Sequence, residues 1–451
     1  MPTLAPDAVL TASGFVRDHV VVVDNGLVTS VTKFPPGPID VPLPGRVLIP
    51  GLVNAHSHAF QRALRGQLPD GSATDFWHWR DRMYALVGGL DPNAIEAISA
   101  LAFTEMAESG ITHVGEFHYV HHQPDGSPYA DPDELAHRVI AAARRAGIRI
   151  TLLRVAYERN GDQPLHPVQR RFIDTGGAPV LAATERLRRV YGTDEDVIIG
   201  LAPHSVRAVP PSSLRTLASF DGVIHTHVSE QPAENAFCHA QSQCSPTQLL
   251  ADCGLVHDRF TAVHLTWPEP GDVDCLVAAR ARVCVCPSTE LDLADGFLPV
   301  DARRRLPLCL GSDSHATIDL FAEARTLEGH GRAQSGQRGI LGQPQAGGDG
   351  RLAWRALVAA SAEGARALGL PRELGVTPGD PADLVAIDLT DLSALGVPPL
   401  EAIIGQASPR WVDSVWVGGT RIVAEGRHVR REAVVEAALQ AFATSYRTAA
   451  G

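Results

Sequence analysis

Between Arg46 and His315 the sequence alternates eight short, β-branched apolar runs with stretches of helical periodicity or length. The runs are RVLIPGLVNAHSH, ITHVGEFHY, IRITLLRVAY, DVIIGLAPHS, GVIHTHVSE, FTAVHLTW, RVCVCPST and LPLCLGSDSH. Between them lie segments such as PNAIEAISALAFTEMAESG, PDELAHRVIAAARRAG and SPTQLLADCG, the first two closing on Gly110 and Gly147 as helices often do. Strand followed by helix, repeated eight times over roughly 270 residues, predicts a (β/α)8 TIM-like barrel. No shorter repeat competes as the signature of a solenoid.

The flanks have a different texture. Up to about residue 45 the chain reads as short strands, with Asn25-Gly26 in VRDHVVVVDNGLVTSV placed as a hairpin turn. After about residue 375 the same texture returns in ADLVAIDLT and DSVWVGGTRIVAEGRHV, punctuated by Gly418 and Gly419. The expected division is therefore 1–45 and 375–451 (the latter with a terminal helix) around a barrel of 46–374. Both ends are expected to join in one small β-sandwich, because neither alone has enough strands to bury a core. Two stretches look irregular, Glu158 to Ala178 and Gly329 to Gly350, and read either as lids or binding loops or as solvated excursions.

Composition narrows the function. With 39 Lys plus Arg against 51 Asp plus Glu, the net charge is −12, which argues against a surface built for nucleic acid or anionic membrane and for a small-molecule partner. The chain starts without a basic segment leading into an apolar run and contains no charge-free span of membrane length, so a soluble cytoplasmic protein is expected. All seven cysteines fall between Cys238 and Cys309, and Cys284 and Cys286 read as buried strand residues of a protein in a reducing compartment. Lys33 is the single lysine, which removes mechanisms needing a Schiff base, a phosphate-loop lysine or a carboxylated lysine bridging two metals.

Barrel enzymes place their chemistry where strands end, and here the runs end in polar residues. The first ends in His56-Ser57-His58, whose imidazoles, two apart on a strand, share a side. Alone this pair reads equally as two satisfied strand histidines. The fifth run adds His225, His227 and Glu230, the sixth His264 and the eighth Asp313. Imidazole and carboxylate ligands gathered with an open position make a catalytic metal site, and their joint occurrence carries that reading.

The order of NAHSH, HTHVSE, VHLTW and GSDSH resembles the amidohydrolase superfamily, in its mononuclear deaminase branch. The resemblance implies one divalent ion, zinc by preference, on His56, His58, His227 and Asp313, with Glu230, His264 and Asp313 catalytic. The missing barrel lysine independently disfavours the binuclear branch. His225 and His315 are left as supporting or packing residues. Further stretches, HSHAFQRALRG, DFWHWRDRMY, GEFHYVHH, APHSVRAV and CPSTELDLADGFLP, resemble the formimidoylglutamate deiminases of histidine degradation. That family converts N-formimidoyl-L-glutamate to N-formyl-L-glutamate and ammonia.

By the family's pattern Gln61, Tyr119, His204 and Arg207 line the pocket with Arg80. Two substrate carboxylates would call for paired donors that stay charged, as arginines do. Without the resemblance either arginine reads equally as a surface ion pair. His118, His121 and His122 are read as a solvated loop outside the site. The implied roles give Asp313 the proton of the attacking water, His264 the orientation of the tetrahedral centre and Glu230 the proton for the departing nitrogen. A homodimer is expected from the resemblance. The alternatives are a deaminase of ring amines such as guanine, cytosine, a nucleoside or a triazine-like ring, and a non-catalytic barrel.

Overall fold

The computed structural model describes residues 2–34, 39–66, 76–342, 352–370 and 372–449. The eight runs form eight parallel strands: β1 (Leu52–Ser57), β2 (Ile111–His118), β3 (Arg149–Ala156), β4 (Val197–Pro203), β5 (Ile224–Val228), β6 (Phe260–His264), β7 (Arg282–Val285) and β8 (Leu308–Leu310). They lie side by side in chain order. The circle closes just past β8, where the Ser312 and Asp313 amides donate to the His56 carbonyl at 3.1 and 3.0 Å and the His58 amide donates to the Asp313 carbonyl at 3.1 Å. The seam of the barrel thus runs through three of the expected metal ligands.

These strands read as continuous apolar runs because both faces are covered, one by the barrel interior and one by helices. All eight residues of β2 are buried. The helix Glu134–Ala146 turns Leu135, Val139, Ile140 and Ala143 to the core, at spacings of three and four residues, and ends on Gly147 in the left-handed region at φ +71°. The seven cysteines are free, with Cys284, Cys286 and Cys309 buried among the strands.

Both chain ends enter one nine-stranded mixed sheet outside the barrel. Its centre is Val41–Pro50, parallel to Thr3–Thr11 on one side and antiparallel to Leu384–Asp388 on the other. Alternation sorts the faces: Val9, Leu48, Leu384 and Ala386 build a core of their own with Val21 and Trp416, while Ile49, Val385 and Ile387 join the main core. The turns Asn25-Gly26 (φ +48° and +80°) and Gly418-Gly419 (φ +52° and +74°) have the two left-handed residues that a tight hairpin needs. A buried ion pair, Arg149 Nε to Asp383 Oδ2 at 2.9 Å, ties β3 to this sheet. Among the described residues no helix is long and apolar enough to cross a membrane.

Of the two stretches expected to be irregular, one differs from that reading and one agrees with it. Gly329 to Ser335 belongs to the helix Leu320–Ser335, which Asp319 caps by accepting from the Phe321 and Ala322 amides and which Gly336 ends at φ +66°. Glu328 then fastens the following turn, accepting from the Gly339, Ile340 and Leu341 amides at 2.8, 3.1 and 3.0 Å. Residues 343–350 of that stretch lie outside the described residues. The segment from Glu158 to Ala178 is irregular apart from a 3-10 turn at Pro167–Arg171 and the start of the helix Gly177–Tyr191. It is not a solvated excursion, since Gln169 and Arg171 are fully buried and Arg171 donates to the carbonyls of Val87 and Leu90.

Candidate active site

His56 and His58 reach the barrel mouth from the end of β1, His227 from β5, His264 from the last position of β6 and Asp313 from the turn after β8. His56 Nε2 and His58 Nε2 each lie 3.2 Å from Asp313 Oδ1, and His56 Nε2 lies 3.2 Å from His227 Nε2. His56, His227, His264 and Asp313 each offer a ligand atom, all within 4.8 Å of one another. The outer nitrogens are fixed by backbone: His58 Nδ1 donates to the Phe117 carbonyl at 3.1 Å and His227 Nδ1 to the His204 carbonyl at 3.0 Å. A carbonyl only accepts, so the Nε2 lone pairs of His58 and His227 face the centre. Burial holds His56 neutral, pushing it down to about 3, and pushes His227 well below its ordinary value. Burial opposes the charge of Asp313, but the close imidazoles of His56 and His58 outweigh it and keep the carboxyl well below the usual range. Lone-pair nitrogens crowded against a carboxylate in a buried site are the donor set of a divalent ion, which the residues present therefore fit.

His264 differs from the other imidazoles. Its Nδ1 is 3.4 Å from Glu290 Oε1 and its Nε2 3.8 Å from Glu230 Oε1. Burial alone would lower it, but the Glu290 hydrogen bond and the charges of Glu230 and Asp313 prevail and raise it to about 10. Two carboxylate neighbours set His264 apart from the other three histidines. Strain marks the same place: Asp313 (φ +46°), His264 (φ +72°) and Ser229 (φ +50°) occupy the left-handed region without being glycine.

Two residues of this end were not anticipated. Glu290, held by the Cys286 amide at 2.9 Å, follows β7 in CPSTE, and a carboxylate just past a strand end was the available signal. Glu116 in β2 accepts from Ser57 Oγ at 2.6 Å and the Ala59 amide at 2.8 Å, and burial pushes it up to about 7. It grips β1 on either side of His58. His315 shares this framework through Ser312 Oγ at 2.9 Å and Ser57 Oγ at 3.3 Å. His225 donates to the Ala367 carbonyl at 2.9 Å and takes no part in the cluster.

A cavity opens from this cluster. His58, His227, Glu230 and Asp313 form one end, and Gln61, Arg80, Tyr119, His204 and Arg207 line the remainder, so every expected site residue either lines it or, like His56 and His264, stands directly behind. Gln61 Nε2 donates to the Tyr119 hydroxyl at 2.9 Å. Arg80 sits 5.4 Å over the Tyr84 ring with Nη2 3.3 Å from Asp81 Oδ1, so it joins the cavity while keeping a surface ion pair. Arg207 lies between Glu230 and Glu234, at 3.7 and 3.9 Å. Trp79, Tyr84, Tyr157, Asn160 and Phe172 complete the wall, and nothing in strand spacing marks them. His118 and His121 are buried rather than solvated, and His121 and His122 donate to the Val155 and Ile173 carbonyls at 3.1 and 3.0 Å. Their place is under the segment that supplies Asn160 and Phe172, outside the cavity.

A closed parallel barrel with this His and Asp cluster at its strand ends defines a metal-dependent hydrolase, and the chain belongs to the amidohydrolase family, whose model matches residues 47–422. It is similar to formimidoylglutamate deiminase of Pseudomonas aeruginosa, 38% identical over 409 residues that span 88% of this chain and 89% of that one. It is also similar to 5-methylthioadenosine/S-adenosylhomocysteine deaminase of Teredinibacter turnerae, 26% identical across 85% of this chain and 81% of that one. The crystal structure of an amidohydrolase from Brucella melitensis matches with a TM-score of 0.90 and 32% identity, over 99% of this chain and 100% of that chain.

Proposed function

We propose that the protein hydrolyses N-formimidoyl-L-glutamate to N-formyl-L-glutamate and ammonia, with one zinc ion held by His56, His58, His227 and Asp313. The observation that carries this reading is the two-ended cavity: a His and Asp cluster at one end, Arg80 and Arg207 in the wall beyond it. A glutamyl group presents two carboxylates, and guanidinium groups are the side chains suited to hold them. The 38% identity to a formimidoylglutamate deiminase supports the same substrate, whereas a ring amine would bring no carboxylate to either arginine.

When bound, the ion supplies a water made reactive near neutral pH, its pKa lowered from 15.7 toward about 7. Asp313 would accept a proton from the attacking water. His264, beside Glu290, would donate a hydrogen bond to the tetrahedral centre. Glu230 delivers a proton to the departing nitrogen, the C–N bond breaks, and ammonia leaves with the oxygen of water retained as the formyl carbonyl. Arg80 and Arg207 hold the carboxylates, with Gln61, Tyr119 and His204 shaping the space between.

The test is ammonia release from N-formimidoyl-L-glutamate, with guanine, cytosine and adenosine in parallel and a chelator-treated control. Release from the formimidoyl compound alone, lost on chelation and restored by zinc, is the expected result. Release only from a ring amine overturns the substrate.

A further inference from the structure

Glu234 is a buried acid that the chemistry above leaves unused. It lies in the first turn of the helix Pro232–Ser242, has no exposed surface, and only the Ser229 and Glu230 backbone offers its carboxylate hydrogen bonds, no side chain doing so. A buried carboxylate is unfavourable unless a charge nearby compensates it. The charge here is Arg207, whose Nε lies 3.9 Å from Glu234 Oε2. On the same edge of the guanidinium Nη2 lies 3.7 Å from Glu230 Oε2. Two carboxylates thus share that edge of Arg207, neither of them at hydrogen-bonding distance.

The balance has a consequence. A guanidinium close to Glu230 with no competing charge on that edge would move onto it as a paired, two-pronged contact. That contact would take Arg207 from a ligand carboxylate. We propose that Glu234 is a positioning residue that holds Arg207 through Nε, keeping it from closing onto Glu230 and leaving the rest of the guanidinium for the carboxylate of an anionic substrate. The proposal rests on the reading of Arg207 as a carboxylate ligand given above. Burial pushes the Glu234 carboxyl up to about 7, with Arg207 the largest of the influences that pull it back.

Two measurements on the metal-loaded protein test it, turnover of N-formimidoyl-L-glutamate and binding of glutarate followed by tryptophan fluorescence, which Trp79 in the cavity wall makes sensitive to occupancy. Glu234→Gln, close to the same shape, is expected to raise KM and the glutarate Kd about 10- to 100-fold while kcat falls less than fivefold. Glu234→Asp, which keeps the charge, should recover most of the loss. On an Arg207→Met background, Glu234→Gln should cost at most a further twofold, because the residue it acts through is already gone. Constants within twofold of wild type for Glu234→Gln, losses that multiply in the double variant, or equal loss in the Asp and Gln variants each overturn the anchor. Wild-type protein that neither turns over the substrate nor binds glutarate overturns the carboxylate reading and the anchor with it.

Discussion

The two ends of the cavity are built differently. At the metal end His56, His58, His227 and Asp313 project from strand termini or the barrel seam, and backbone carbonyls fix the outer nitrogens of His58 and His227. At the far end Arg80 comes from the helix Phe76–Gly89 and Arg207 from the loop after β4, and Arg207 makes no contact shorter than 3.7 Å with a carboxylate. The residues proposed to perform the chemistry sit on the rigid scaffold, whereas the arginines proposed to recognise the substrate sit on segments that connect the strands. Damage to the first end should therefore appear in kcat and damage to the second in KM.

The largest effect expected is loss of turnover on disabling the metal end. Asp313→Asn removes an ion ligand and the proton acceptor together, so kcat should fall about 10⁴-fold or more while circular dichroism and the thermal transition stay near wild type. His264→Asn should fall about 10²- to 10⁴-fold with metal content retained. Metal analysis of the two proteins sharpens the division, since loss of zinc in the His264 variant would move that residue among the ligands.

Arg80→Met addresses the other end. Leaving a bound carboxylate unpaired costs about 3–5 kcal/mol, or roughly 10² to 10⁴ in kcat/KM, and most of this should lie in KM. Activity on a simple N-alkylformamidine, which has no carboxylates, should be equal in the two proteins. A change below about threefold with the glutamyl substrate would return Arg80 to its ion pair with Asp81 and break the comparison at its far end.

The same contrast explains what could be read from the chain. His56, His58, His227, His264 and Asp313 were legible because strand alternation and strand ends fix where side chains point, independently of tertiary detail. Gln61, Tyr119, His204 and Arg207 came only with the family resemblance, since loops obey no period. Tyr157 and Phe172 face the cavity because Arg171 and Gln169 bury the connecting segment, a tertiary result that no local pattern encodes. The same packing buries His118 and His121, where polarity suggested solvent. Nor does any residue type announce that Asp313 takes a left-handed conformation. Gly329 was misread because its glycine signal was overruled by the Asp319 cap and the contacts of Glu328 around the helix end.

Glu116 offers a finer test of the rigid end, because it touches no substrate and grips β1 through Ser57 and Ala59. Partners of this kind affect metal affinity by about 10- to 100-fold. Glu116→Ala should weaken zinc binding by that factor in a competition with a chromogenic chelator. At saturating zinc its kcat should return to within about threefold of wild type. A kcat that stays low with zinc bound would mean that Glu116 sets the geometry of the reacting groups as well as the affinity.

The smallest effect separates the strand ends from the helices that follow them. Asp319 caps the helix Leu320–Ser335 only six residues beyond Asp313, accepting from the Phe321 and Ala322 amides at 2.9 and 3.0 Å. Removing such a cap costs about 1 kcal/mol, so Asp319→Ala should lower the unfolding free energy by that amount in a denaturant titration. Asp313, however, is held by hydrogen bonds across the barrel seam to His56 and His58, not by the helix. Its position should survive the frayed cap, leaving kcat and zinc affinity unchanged. If kcat instead falls in step with stability, the seam does not fix Asp313 alone, and the rigidity of the metal end extends into the helix behind it.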